Sequence, residues 1–411
     1  MSLLRRVSAA AALIAFGSLV GLAMTEAALR VYDATRPQPP APRGDFWDPE
    51  HGYGWLHPPG VEGPWFDDHG EYSVVVKINS HGLRDVEHDY AKPPGVFRIL
   101  LLGDSYMEAV QVELDKIFAR RLEAALGSGG RRVEIINASA SEWGTDNELV
   151  YLREKGFRYS PDLVLLGFTT ANDVRNNSTE LNLRVPNPNP YKPTFTMTPQ
   201  GALEFHPMPP LLPSLPPPPW WQHVRVATFF VNRVGHRFGL GAAPLPLPAK
   251  PPAAPAAAAG ASAPPAPPVS KVPTDMLVYE SPPSREVADA WRVTKALILQ
   301  IQFEAAQHGA KFAMFFVNGP WAHYDDYWRL MTMNDKVARD SWSRRTPNDT
   351  LTPFVTDKGI PFVDLFPEFE AKKAVEPLFF RFDPHWTEAG HRVAADTVAR
   401  FLVDSGLVPR T

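Results

Sequence analysis

The chain has no cysteine. That excludes disulfides, thiolate nucleophiles and Cys-ligated zinc together. It also lacks an excess of one charge: 41 basic residues against 45 acidic ones leave a formal net charge of -4, so nothing calls for a polyanionic partner such as nucleic acid. Long apolar runs are scarce. The one that stands out, Val7 to Met24, contains no charged residue and follows Arg5 and Arg6. At 1.5 Å per residue it reaches roughly 27 Å as a helix, close to the thickness of a bilayer core. It reads as an uncleaved signal anchor, or as a secretory signal peptide with Gly21-Leu22-Ala23 as a small-residue cleavage site. Arginines ahead of the run predict a short inside end and everything after Met24 outside.

What is present is enough for a large fold. The 411 residues are 44% hydrophobic, which can fill a substantial core. After residues 1–32, the anchor or signal, residues 33–95 read as a spacer and a small β-rich lead-in. Asp33 to Pro42 is rich in proline and polar residues, Tyr72 to Asn79 is strand-like, and Asn79-Ser-His-Gly supplies a turn. From residue 96 to 408, short apolar runs alternate with helical stretches, the pattern of a parallel α/β sheet. Candidate strands are Phe97 to Leu102, Val133 to Ala138, Leu163 to Phe168, Phe312 to Val317 and Pro361 to Leu365. Candidate helices are Leu114 to Leu126, Asp146 to Phe157, Glu286 to Gln307 and Glu388 to Leu402. Five buried strands between helices predict a three-layer α/β/α sandwich of flavodoxin-like type.

The alternation breaks at 185–283, where about half of the 45 prolines fall. Proline has no N–H to give a ladder, so this stretch reads as an insertion outside the sheet. Its centre, Ala242 to Pro268, is Pro/Ala-rich and predicts a disordered or polyproline-like tract. The segment beginning Trp220-Trp221 is apolar enough to pack, as a flap on its own domain or against a partner or lipid.

The first strand runs into Gly103-Asp104-Ser105, which puts a serine at the carboxyl end of a buried strand, where α/β sheets place ligands. Alone, three residues are a weak signal. Three more pieces follow in order, each just after another strand: a loop holding Gly144, then Asn172-Asp173, then Phe382-Asp383-Pro384-His385-Trp386. All lie at one sheet edge and can converge on one cleft. A serine hydroxyl becomes a nucleophile when a histidine takes its proton, which assigns Ser105 and His385. The oxyanion formed on an ester carbonyl needs fixed donors. The Ser105 and Gly144 main-chain N–H groups and the Asn172 amide would supply them, each worth on the order of 10²- to 10³-fold in rate.

These blocks resemble those of the SGNH/GDSL hydrolase superfamily, from roughly Phe97 to Leu402 with the insertion removed. The stretch from Gly144-Thr-Asp-Asn-Glu-Leu to Asn172-Asp-Val-Arg-Asn-Asn is similar to its bacterial, membrane-associated members. The resemblance implies an SGNH hydrolase fold, the four roles just given, no cofactor, and acyl ester substrates, often O-acetyl groups on carbohydrate. It places the catalytic domain in the periplasm on a single-pass inner-membrane helix, or free if the signal is cleaved. One departure stands out. In many members the triad acid lies three residues before the histidine, a position held here by Phe382, whereas Asp383 lies two before. Asp383 remains the candidate acid, with an imperfect reach expected.

Plainer readings exist for several residues. Asn172 could simply cap a turn, as Asp173 is expected to, and Gly144 could serve a positive φ. His391 reads as a satisfied surface histidine, and Asp364 as a loop cap or an alternative acid. His323, Tyr324, Asp325 and Asp326 lack partners at metal-ligand spacing. The sequence thus predicts a serine esterase, with an O-acyltransferase to a sugar hydroxyl using the same residues as its near alternative. A non-catalytic glycan-binding protein on a hydrolase fold is the alternative of another class.

Overall fold

The computed structural model describes residues 3–35, 47–128, 130–185, 191–209 and 272–409. The described residues divide into two units, with residues 3–35 in the first and the rest in the second. In the first, helix α1 (Leu3–Thr35) runs past Met24 and through the start of the expected spacer. Among the described residues no helix is long and apolar enough to cross a membrane. The first part of the Val7 to Met24 run lies outside those whose side chains are described, as do the Ala242 to Pro268 tract and the Trp220-Trp221 segment.

The second unit opens with two antiparallel hairpins. Strand β1 (Asp48–His51) pairs with β2 (Gly54–Leu56), and β3 (Glu62–Phe66) pairs with β4 (Ser73–Lys77), Phe66 opposite Ser73. In β4 the residues alternate exposed and buried, so Val74 and Val76 face inward. Val76 joins Trp65, Ile78 and Val110 in a small core of its own.

The main sheet holds β5 (Phe97–Gly103), β6 (Val133–Ser139), β7 (Leu163–Thr169), β10 (Lys311–Val317) and β11 (Phe362–Asp364). Its order is β6-β5-β7-β10-β11 and every pairing is parallel. That order, 2-1-3-4-5 in chain sequence of these five strands, is flavodoxin-like, with its switch point between β5 and β7. The remaining strands, β8 (Thr194–Met197) and β9 (Leu203–His206), form a separate hairpin early in the insertion.

Helices α2 (Ser105–Glu108), α3 (Phe118–Gly127), α4 (Thr145–Glu154), α5 (Asn172–Asn176) and α6 (Thr179–Asn182) are interleaved with the first three sheet strands, and α7 (Arg285–Gln307) leads into β10. Strand parity decides which face each residue covers. Ile99, Leu101, Ile135, Leu163, Leu165, Ala313 and Phe315 pack on one side, with α3 and the last helix, α13 (Glu388–Asp404). Leu100, Leu102, Ile136, Val164, Leu166, Met314 and Phe316 pack on the other, with α4 and α7. Both faces are covered, the reason these strands read as unbroken apolar runs.

Two expectations need correction. The helix expected from Leu114 starts only at Phe118, because Ile117 is extended and interrupts a 3-10 turn at Leu114–Lys116. Between β10 and β11 four short helices, α8 (Pro320–His323), α9 (Asp325–Thr332), α10 (Lys336–Ser341) and α11 (Thr346–Asp357), occupy what had no assignment. Most are too short for a 3.6-residue period to show. The helix α12 (Phe366–Lys372) follows β11.

Candidate active site

The nucleophile's position follows from the way β5 ends. A Cβ on Gly103 would sit 2.4 Å from Met107 Cγ, so only glycine lets α2 fold back across the strand end. Asp104 caps α2, accepting the Tyr106 N–H at 3.0 Å, and Ser105 begins the helix, where main-chain N–H groups have no partner within the helix. Asp104 is fully buried, and burial pushes its carboxyl above the ordinary value although Asn172 Nδ2 donates to it at 3.0 Å.

The opposite wall is the loop between Phe379 and Trp386, which bridge to one another, while the Phe380 N–H donates to His385 O at 3.1 Å. Trp386 is buried against Tyr106 and Phe369, anchoring the residue next to His385. His385 Nε2 lies 2.8 Å from Ser105 Oγ, and Nδ1 makes a short hydrogen bond with Asp383 Oδ1. Because Nδ1 faces a carboxylate it carries the proton, which leaves Nε2 to accept from the serine. The same Asp383 oxygen accepts the His385 main-chain N–H at 2.9 Å. This is an Asx-type turn, available only to an acid two residues before its partner. The expected imperfect reach of Asp383 is therefore corrected: the spacing brings the acid onto the ring through the turn.

The electrostatics fit a base and its partner. Burial raises the Asp383 carboxyl, but hydrogen bonds from the His385 ring and main chain and from Tyr72 outweigh it and hold the group well below the usual range. Burial lowers His385, and Asp383 together with the charges of Asp104 and Glu108 more than offsets it, leaving the imidazole above its ordinary value.

The expected oxyanion donors differ in availability. Arg175 Nη2 donates to Asn172 Oδ1 at 2.5 Å, which turns the amide nitrogen toward Asp104 with one N–H still uncommitted. Arg175 is itself buried and fixed by Asp275 at 2.6 Å and Glu142 at 2.7 Å. Gly144 is different. Its φ is -112°, so positive φ is not its purpose; a Cβ there would lie 2.7 Å from Asn176 Cβ. Its N–H donates to Asn147 Oδ1 at 3.2 Å, capping α4. In this conformation that donor is spent, and Ser105 N–H and Asn172 remain.

The secondary candidates resolve differently. Asp173 accepts the Thr169 N–H at 2.9 Å and is a cap. Asp364 accepts from Phe366 N at 2.9 Å and pairs with Arg345 at 2.9 Å, which commits it away from His385. His391 is not on the surface: it is 1% exposed, accepts the Phe118 N–H at 3.2 Å, and burial drives it well below the ordinary histidine value. His323 pairs with Glu370 at 2.8 Å and Asp325 with Arg344 at 2.7 Å, and no metal-binding group occurs among the described residues.

Sequence reasoning missed three neighbours of the triad. Tyr72 OH donates to Asp383 Oδ2 at 2.8 Å, Glu71 holds the loop's main chain, and the Gln111 amide lies 3.0 Å from His385 Nδ1. Tyr72 and Glu71 have no sequence signal, being more than 300 residues from the loop.

Residues 331–409 match the family model described as the SGNH hydrolase-like domain of the acetyltransferase AlgX. No curated protein matches. Among solved structures, TesA is similar at 10% identity, with 74% of this chain and 97% of that chain covered and a TM-score of 0.37. A mutant of Axe2, an acetyl-xylooligosaccharide esterase from Geobacillus Stearmophilus, gives 9%, 74%, 94% and 0.37. A putative acylhydrolase from Bacteroides fragilis gives 14%, 75%, 87% and 0.34. Likenesses of that size add nothing to the connectivity and the site. The 2-1-3-4-5 sheet and the hydrogen-bonded serine, histidine and aspartate at its carboxyl edge are the machinery of an ester hydrolase or acyltransferase, and over its final block the chain is similar to the SGNH hydrolase-like domain.

Proposed function

We propose that the protein is a serine esterase that removes acyl groups, O-acetyl above all, from an envelope or exported glycan. The observation that supports it most is Ser105 Oγ at 2.8 Å from a histidine whose far nitrogen is held by a carboxylate. In this reading Ser105 Oγ attacks the ester carbonyl as its proton passes to His385 Nε2. The Ser105 N–H and the free Asn172 N–H stabilise the oxyanion. Collapse expels the sugar alkoxide, which takes the proton from His385, and leaves an acyl-serine. Water, deprotonated by His385, then attacks the acyl carbon, and Ser105 Oγ leaves with the proton returned by His385, releasing the carboxylic acid and regenerating the serine.

A second reading keeps every step but the last. The match to the acetyltransferase AlgX model favours transfer to an acceptor other than water, which in this reading is a sugar hydroxyl. The two separate in one experiment: acyl-enzyme breakdown is followed with and without added oligosaccharides. Rates independent of the sugar support the esterase, and acceleration with acylated sugar formed supports the transferase.

We also propose that α1 anchors the protein with its catalytic domain outside the cytoplasm, on the strength of the uncharged run after Arg5 and Arg6. A reporter fused after Thr411 is expected to be active only in its exported form. Cytoplasmic activity would overturn this topology.

A further inference from the structure

The lead-in before the sheet reaches the heart of the site. The turn between β3 and β4 brings Glu71 and Tyr72 against the loop that carries Asp383 and His385. The Glu71 carboxylate accepts the main-chain N–H groups of Arg381 at 2.6 Å, Phe382 at 2.7 Å and Asp383 at 3.3 Å. One side chain thus gathers three consecutive donors, fixing the main chain just ahead of the acid. Tyr72 does something more specific. Its hydroxyl donates to Asp383 Oδ2, the oxygen that the imidazole does not use, while its ring meets Phe380 edge-on with centroids 5.1 Å apart.

A carboxylate bound only through Oδ1 can turn about its Cβ–Cγ bond and leave the imidazole. Bound through both oxygens, it cannot. A phenol is suited to the task, because it donates one hydrogen bond from a rigid ring and brings no charge that would compete with the imidazolium for the carboxylate. The lead-in is also anchored at a second point, between β2 and β3, where buried His57 approaches Glu108 of α2 at 2.5 Å, so it touches both the nucleophile's helix and the acid's loop.

We propose that Tyr72 is a positioning residue for acyl transfer, holding Asp383 against His385 through its second carboxylate oxygen, with Glu71 fixing the loop behind it. The proposal rests on the Ser105 acyl-enzyme reading above. It makes the lead-in hairpin part of the enzyme's working structure rather than a spacer.

The test uses the full chain and a double-mutant cycle on one acetyl ester. Tyr72→Phe keeps the ring and its contact with Phe380 and removes only the hydroxyl. It is expected to lower kcat about 10-fold, the scale of one hydrogen bond to a charged group, with KM within about twofold of wild type. In an Asp383→Ala background the hydroxyl has no carboxylate to hold, and the same substitution should cost less than about twofold, since coupled residues are non-additive. Glu71→Gln, a second variant, is expected to lower kcat by several-fold in the wild-type background. An equal loss from Tyr72→Phe in both backgrounds would make its role merely structural and overturn the proposal, as would an unchanged kcat. Ser105→Ala in the same series separates the levels: if it keeps its activity the acyl-enzyme reading itself fails, and if it is dead while Tyr72→Phe matches wild type, only the positioning role does.

Discussion

Ser105→Ala should lower kcat/KM for an acetyl ester by on the order of 10⁴-fold or more, with the melting temperature unchanged. The size follows from losing the covalent route altogether. What survives is catalysis by the oxyanion donors and by binding. The stability claim follows from position. Ser105 Oγ points at His385 rather than into either apolar layer, and the cap that holds α2 is made by Asp104. His385→Ala should cost about as much, because a serine without its base is little better than no serine. The double variant should then be no worse than either single one, the mark of groups that act as a unit. Stopped assays with matched protein, and melting curves followed by circular dichroism, check all three.

Asp383→Asn carries the second large effect and a direction in pH. The acid sets the tautomer of His385 and stabilises its cation. Its contacts to the ring, to the His385 main chain and to Tyr72 make it a fully engaged partner, so the loss should approach ~10⁴-fold. The sign of the pH effect runs from the two opposing influences on the imidazole. Burial lowers its pKa, and Asp383, helped by Asp104 and Glu108, outweighs burial, so wild-type activity should fall as pH drops through a value above that of an ordinary histidine. Without this carboxylate, burial, the largest single influence, is opposed only by the more distant Asp104 and Glu108. The acid limb of kcat/KM should then move to lower pH, since the variant's imidazole stays neutral further down. A limb that does not move, with near wild-type activity, would place the acid elsewhere. Asp364 is not available for that, being held by Arg345 and by Asn348 at 2.8 Å.

The sheet was legible because its strands are buried on both faces. Residues such as Leu100 to Leu102 and Leu163 to Leu166 are apolar regardless of parity, and a parallel sheet leaves such runs between helices. The order of Ser105, Gly144 and Asn172 along the chain was legible for the same reason: each follows a strand, and parallel strands deliver their ends to one edge, whereas His385, expected just after a strand, is separated from β11 by α12 and reaches that edge on the loop beyond it. What could not be read was anything set by close approach or by distant contact. That Gly144 is glycine to admit Asn176, and that its N–H is drawn into the cap of α4, depends on how α4 and α5 meet. His391 was expected at the surface as a lone polar residue within the last helix, yet it is buried and accepts the main-chain N–H of Phe118 at the start of α3. Asp383 appeared badly spaced until the turn it forms came into view. Tyr72 and Gln111 acquire meaning only when the lead-in and the segment after α2 are folded against a loop near the other end of the chain.

The central claim is that Ser105 is the nucleophile and forms a covalent intermediate. The most direct measurement is labelling of the full chain with a fluorophosphonate, followed by peptide mapping by mass spectrometry. A phosphonate reports the activated serine itself and requires no knowledge of the glycan. The account predicts one adduct, on the peptide containing Ser105, absent from Ser105→Ala and formed far more slowly in His385→Ala. An adduct on another residue, or no adduct in a protein that still turns over acetyl esters, would contradict it.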